Sequence, residues 1–282
     1  MMTTLFDVLY QHPSMQSSTT LFERLDFLTR YFLGKPYILG AQGEGNEGEF
    51  DQFPLYRFDG FDCVTFVNNL LALALSHDEA SFKNNLCSIN YYDATPLFQN
   101  RFHFMSLDWN PQNQKKRLID LTETIVDESN HPIADFAEGV IDKKNWFLYR
   151  TENDIRLNQP KNGEKKLIAL KKLSELFEPK FVRMPYLSLE KLLENPNYFE
   201  QFPDLSVIEI VRPNWNLRDK IGTNLHVSHL GFCFRLSSGI LTFRHASSDR
   251  KRVVEVPLVT YLSELRDNIT IRGIHLQTLR EH

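Results

Sequence analysis

The apolar spacing of this chain changes from helical to extended between its first and last thirds. Leu21, Leu25, Phe27, Leu28 and Phe32 recur at helical intervals behind capping groups at residues 17–20, and Gly34 ends the run. Residues 61–76 read as a strongly apolar, buried helix and residues 78–89 as another. Beyond residue 204 the spacing is that of strands, at 205–211, 228–236, 240–246, 252–256 and 269–276. Ser237-Ser238-Gly239 is a hairpin turn between two of them, and residues 257–265 read as a short helix. Helices first and an antiparallel sheet last is an α+β order. The chain has 282 residues, 42% of them hydrophobic, and we expect a single domain over 1–282.

The middle of the chain is less periodic. Residues 35–60 carry Pro, Gly and acidic residues and read as a long ordered loop. Residues 93–165 hold scattered aromatics and the turn signals Asn110-Pro111 and Lys161-Asn162-Gly163, before helical patterns at 166–177 and 187–194. The block 93–204 is therefore expected to be an insertion or elaboration forming part of a cleft wall.

Several function classes are excluded. With 32 basic against 36 acidic residues the formal charge is −4, and the basic clusters are local, so no nucleic-acid partner is expected. Residues 1–8 lack a basic region leading into an unbroken apolar stretch, and Gln11, His12 and Pro13 add polar and helix-breaking groups directly after them; this does not read as a signal peptide. No apolar run is long enough to span a bilayer. The three cysteines, Cys63, Cys87 and Cys233, form no CxxC pair, which argues against a disulfide framework or a thiolate zinc knuckle. Cys87 and Cys233 lie in apolar patterns and read as buried bystanders.

Cys63 is different. Asp59, Gly60 and Asp62 place polar and flexible groups just before the apolar run, so Cys63 falls in the first helical turn. Unpaired N–H groups and the helix dipole there favour a thiolate or an oxyanion. His229 opens the strand Leu230-Gly231-Phe232, and His245 ends the strand after the hairpin. Across the turn, residues whose numbers sum near 476 should face each other, which brings His245 close enough to hold the ring of His229. Gly231 inside a strand suggests a close approach by a ligand or by the helix carrying Cys63. Thiol, base and orienting group are the parts of a cysteine hydrolase. His226 reads as a loop bystander. A zinc site drawn from His103, His226, His229 and His245 is the weaker alternative, since no HExxH helix is present and Cys63 would have no role.

Specific segments resemble a known family. Gly34-Lys35-Pro36-Tyr37-Ile38-Leu39-Gly40, Asp62-Cys63, Ser228-His229-Leu230-Gly231-Phe232 and His245-Ala246-Ser247 resemble the approach loop, nucleophile motif and two His strands of NlpC-type cell-wall cysteine peptidases. Phe61-Asp62-Cys63-Val64-Thr65-Phe66-Val67-Asn68-Asn69 and Arg101-Phe102-His103-Phe104-Met105-Ser106-Leu107-Asp108-Trp109 are more specifically similar to the N-acetylmuramoyl-L-alanine amidase-like family, with Asn68 in place of the usual acid. The resemblance implies a papain-like fold, with a nucleophile helix packed on an antiparallel sheet that carries the His residues. It implies a cofactor-free, metal-free cysteine amidase that cuts between N-acetylmuramic acid and L-alanine in peptidoglycan fragments. Cleavage within the stem peptide, or muropeptide binding without catalysis, are the alternatives. By the same resemblance Cys63 is the nucleophile, His229 the base and acid, and His245 its orienter. Tyr37 is a substrate or oxyanion contact, and Arg101, His103, Asp108 and Trp109 line the muropeptide pocket. Asp62 reads equally as a substrate-positioning group and as a helix cap. The substrate points to the periplasm or to secretion, whereas the free thiols and residues 1–8, which do not read as an export signal, fit the cytoplasm equally well.

Overall fold

The computed structural model describes residues 4–158 and 163–280; the Lys161-Asn162 part of the second turn signal lies outside them. The first half contains α1 (Leu5–Tyr10), α2 (Leu21–Tyr31), α3 (Cys63–Ala74) and α4 (Glu79–Asn90). Each starts on a reciprocal capping box, formed by Thr4 with Asp7, Thr20 with Glu23, Asp62 with Thr65 and Asp78 with Ser81. Such boxes satisfy two of the N–H groups that a helix start leaves open, and so fix where each helix begins. α1 is too short for its apolar period to show in the sequence. α3 is the interior helix, buried from Thr65 to Ala74, and it contacts α2, α4 and the sheet. Residues 35–60 contain no named helix or strand, in line with their loop-like composition.

Eight strands form one antiparallel sheet: β1 (Leu118–Asp120), β2 (Asp135–Ile141), β3 (Lys180–Ser188), β4 (Leu205–Asn216), β5 (Asn224–Arg235), β6 (Leu241–Ser247), β7 (Arg252–Pro257) and β8 (Gly273–Leu279). The order is β2-β3-β8-β4-β5-β6-β7, with β1 beside β8. Alternation along β5 divides the core between the two faces. Leu230, Phe232 and Phe234 meet Phe66 and Leu70 of α3 on one side. Cys233 meets Phe243, Val254 and Leu258 on the other.

The middle block contributes β1, β2 and β3, which its weak periodicity does not reveal. Helix Leu189–Glu194 starts later than expected because Leu187 and Ser188 are still pairing with β8. The last strand begins at Gly273, and Ile269, placed in it by pattern, is 82% exposed. Helix Gly163–Lys172 ends early and continues as a 3-10 turn to Leu176.

Candidate active site

Cys63 occupies the first position of α3. Asp62 is the cap: its Oδ1 accepts from the Thr65 N–H at 2.8 Å, and its own N–H donates to Thr65 Oγ1 at 2.9 Å. Its Oδ2 accepts from the Ala41 N–H at 3.3 Å. Both carboxylate oxygens are thus engaged in holding backbone, which favours the capping role over substrate positioning. Upstream, Pro36 and Ile38 exchange backbone hydrogen bonds with Phe61, each 2.9 Å long. A Cβ on Gly60 would lie 2.8 Å from the Pro36 carbonyl oxygen, so the approach needs glycine there. This seats half-buried Tyr37 beside the thiol. Its phenol is pushed up to about 12 by burial first, then by charge on Cys63 and Asp62.

The hairpin register is as the turn predicts. Phe232 faces Arg244 and Cys233 faces Phe243, both summing to 476. His229 and His245 therefore share a face, diagonally offset, and His229 Nε2 lies 2.7 Å from His245 Nδ1 with the rings 83° apart. Gly231 makes this possible in an unexpected way. A Cβ there would sit 2.7 Å from His245 Cβ and 2.6 Å from the Arg244 carbonyl oxygen, so the close neighbour is β6 and not a ligand or α3. Phe243 and Tyr261 flank His245, at 4.7 and 4.9 Å between ring centroids.

Electrostatics correct the thiolate expectation. The Cys63 thiol is pushed up to about 12, by burial first and then by the Asp62 carboxylate. The N–H groups of Leu230, Val64 and Cys63 pull the other way and are outweighed. Burial lowers His229 to about 4, and Asp249 only partly offsets it. His245 falls to about 2, from burial, then from His229 and Arg250. At neutral pH the resting groups are a thiol and two neutral imidazoles. Between the facing nitrogens one must carry the hydrogen. With it on His229 Nε2, His229 Nδ1 is a free acceptor. Alkylation of Cys63 by iodoacetamide in the free protein should therefore keep accelerating as pH rises through 9, the thiolate fraction growing about tenfold per unit below the thiol pKa. A rate that levels off at acid pH would restore the ion pair.

Cys63 and His229 open onto one cavity of about 260 Å³, together with Asp62, Arg101 and His103. Arg101 is tied to the buried carboxylates Glu44 and Asp51, the latter at 3.1 Å. Arg156 also binds Asp51, and holds the Gly40 and Gln42 carbonyls at 2.6 and 2.8 Å. Gly40 and Gln42 are wall residues, so this network fixes the rim. Burial pushes Glu44 up to about 7 despite Arg101. His103 donates from Nε2 to the Phe98 carbonyl at 2.7 Å, and burial holds it neutral. His245 sits behind His229, outside the wall.

Asp108 and Trp109 do not reach the cavity. A π turn, Met105–Trp109, sends them inward. Asp108 pairs with Lys143 at 3.1 Å, both buried, and accepts from the Tyr92 hydroxyl at 3.1 Å. Trp109 is fully buried and donates from Nε1 to Asn68 Oδ1 at 3.0 Å. Gln42 is a wall residue that the sequence does not single out, Ser228 enters there only as part of the His229 motif, and His226, which reads there as a bystander, also lines the cavity. No motif marks Gln42, and His226 escapes because β5 begins at Asn224, four residues before the strand that the pattern marks, so His226 is on the strand and not on a loop. Among the described residues, no group of three His, Cys, Asp or Glu side chains is placed to hold a metal ion, and no helix is long and apolar enough to cross a membrane.

A family described as AmiA-like, N-acetylmuramoyl-L-alanine amidase-like, matches residues 27–271. A crystal structure of a DUF1460 protein from Legionella pneumophila is similar at 40% identity, over 98% of this chain and 94% of that one, with a TM-score of 0.93. A crystal structure of an N-acetylmuramoyl-L-alanine amidase from Bacteroides uniformis is similar at 25% identity, over 92% of this chain and 99% of that one, with a TM-score of 0.63. No curated protein matches the chain.

Proposed function

The chain belongs to the AmiA-like, N-acetylmuramoyl-L-alanine amidase-like family, and from that premise we propose that it is a cysteine amidase cutting the amide between N-acetylmuramic acid and L-alanine in soluble peptidoglycan fragments. The observation that carries the reading is the shared cavity of Cys63 and His229, with His245 holding the far nitrogen of the His229 ring. The antiparallel sheet with a nucleophile helix on one face supports placing the fold among papain-like, NlpC-type hydrolases. We also read the chain as one catalytic domain. Strands from the 93–204 block join the common sheet, and Arg101 to Ser106 wall the cavity, which suits a fragment better than an intact wall.

The chemistry rests on the neutral resting state of the three groups. Cys63 Sγ attacks the lactyl carbonyl carbon while His229 Nδ1 takes the thiol proton, so no standing thiolate is required. The Cys63 backbone N–H, at the start of α3, faces the developing oxyanion. His229, now cationic, is steadied by neutral His245 through the 2.7 Å contact. It returns the proton to the departing L-alanine nitrogen. Water, deprotonated by His229, then frees the acid from the thioester. Arg101, held by Glu44 and Asp51, keeps the wall of the cavity in place, and Tyr37 borders the oxyanion.

Mass spectrometry of muropeptides incubated with the protein and with Cys63→Ala tests this. Free sugar plus an intact peptide beginning with L-alanine is expected, and is lost in the variant. Cuts further along the stem would move the activity to the peptidase branch. No cleavage by either protein would overturn the hydrolase reading in favour of binding.

A further inference from the structure

A buried charge cluster stands behind the wall of the Cys63 cavity. Residues 43–45 lie along residues 51–54, with the Gly43 N–H on the Pro54 carbonyl and the Glu44 N–H on the Asp51 carbonyl, both at 2.9 Å. Gly43 permits this approach, since a Cβ there would sit 2.4 Å from the Phe53 carbonyl oxygen and 2.7 Å from Asp51 Oδ1. The fold-back takes the Glu44 carboxyl inside, beside fully buried Asp51. Arg101 binds both carboxylates and Arg156 binds Asp51, so two cations meet two anions. Tyr91, at the end of α4, closes the cluster by donating from its hydroxyl to the Gly43 carbonyl at 3.2 Å.

The two acids are not equivalent. Asp51 uses both oxygens: Oδ1 accepts from the Phe53 N–H at 3.2 Å, and Oδ2 accepts from the two guanidinium groups. Glu44 Oε1 accepts from Arg101, but Glu44 Oε2 is buried with no partner among the described residues. An ionised oxygen left idle there is unfavourable, and a proton on it relieves the burial while Oε1 keeps Arg101. Burial raises the Glu44 carboxyl first, Asp51 adds to it, and Arg101 and Arg156 only partly offset the two. Arg101 is itself under-used. Its Nε has no partner among the described residues, and its Nη1 lies 3.5 Å from the Gln42 carbonyl, too far for a good hydrogen bond. It borders the cavity next to neutral His103.

We propose that Glu44 is a proton-operated control on the charge of the Cys63 cavity. With both acids ionised the cluster is neutral. With Glu44 protonated, Arg101 and Arg156 share Asp51 alone, and one positive charge is left over at the wall. The cavity then favours an anionic ligand, and by reciprocity an anionic ligand favours the proton. This regulates the site already described and rests on the amidase reading for its choice of ligand. The reacting groups are silent in the neutral range, with Cys63 at about 12, His229 at about 4 and His245 at about 2. Glu44, at about 7, is not.

Titration calorimetry on Cys63→Ala, which needs no turnover, tests this. The probes are N-acetylmuramoyl-L-alanyl-D-glutamate, whose carboxyls stay ionised from about pH 5.5 to about pH 8.5, and its uncharged diamide. The acid form should bind about tenfold tighter at the lower pH than at the higher, while the diamide changes less than about twofold. The loss should begin near pH 7. Adding Glu44→Gln, which keeps the shape and cannot ionise, should hold the tighter affinity across the whole range. Carbon-13 NMR of protein labelled at glutamate carboxyls gives a reading that needs no ligand. One carboxyl should titrate near pH 7 and be absent from Glu44→Gln. A Glu44 carboxyl that titrates in the ordinary range, no binding of the acid form, an affinity indifferent to pH, or a pH response that survives Glu44→Gln would overturn the inference. A wild-type protein that cleaves neither probe, beside a Cys63→Ala protein that shows the expected pH course, defeats the hydrolase reading alone. Cleavage with a flat binding course defeats this inference alone.

Discussion

Replacing His229 with Ala should lower kcat on a muropeptide about 10³- to 10⁴-fold, with KM within about threefold of wild type, because the residue moves a proton in both halves of the reaction and contributes little to ground-state binding. His245→Ala should cost less, about 10²-fold in kcat. It removes the group that holds His229 Nε2 at 2.7 Å but leaves the base itself in place. The double variant should be no slower than His229→Ala, since an orienting group has nothing to act on once the base is gone. Steady-state kinetics on all three settle it. Additive losses would mean that His245 acts independently of His229, and an unchanged kcat in His229→Ala would remove the base from the mechanism.

The second large effect is on stability. Trp109→Ala should destabilise the protein by about 3–5 kcal/mol, the usual cost of truncating a fully buried Trp. It also strands Asn68 Oδ1, which now accepts from the indole at 3.0 Å. Trp109→Phe keeps most of the packing and should cost about 1–3 kcal/mol through that stranded acceptor. Urea unfolding measures both, and KM of the folded variants should stay within about twofold of wild type. A raised KM at unchanged stability would return Trp109 to the pocket wall.

What the sequence makes legible is whatever rests on local period and capping. α2, α3 and α4 are marked by apolar stripes behind Ser, Thr or Asp caps, and the pairing of His229 with His245 comes from one hairpin turn. What it hides depends on distant partners. β2 has Gly139 and Glu138 in its interior and β3 has Pro185, so neither shows a clean alternation. They are strands because each pairs with the other from Asp135 to Ile141. The inward turn of Asp108 is decided by Lys143, 35 residues later, and no spacing rule links the two. The neutral thiol escapes the sequence for the same reason. The helix start is visible there, whereas the burial that outweighs it is a property of the assembled cleft.

β8, the last strand in the chain, lies between β3 and β4. During synthesis the strands on either side of it emerge long before it does, and until it arrives they expose unpaired edges. Pairings over such separations make a chain slow to fold and leave apolar surface open meanwhile. The nucleophile is less exposed to this delay. Cys63 starts α3, which packs on β5, and β5 is paired directly with β4 and β6. The strands that back the thiol therefore precede the closing strand, whereas the joining of β2 and β3 to the rest of the sheet waits for it.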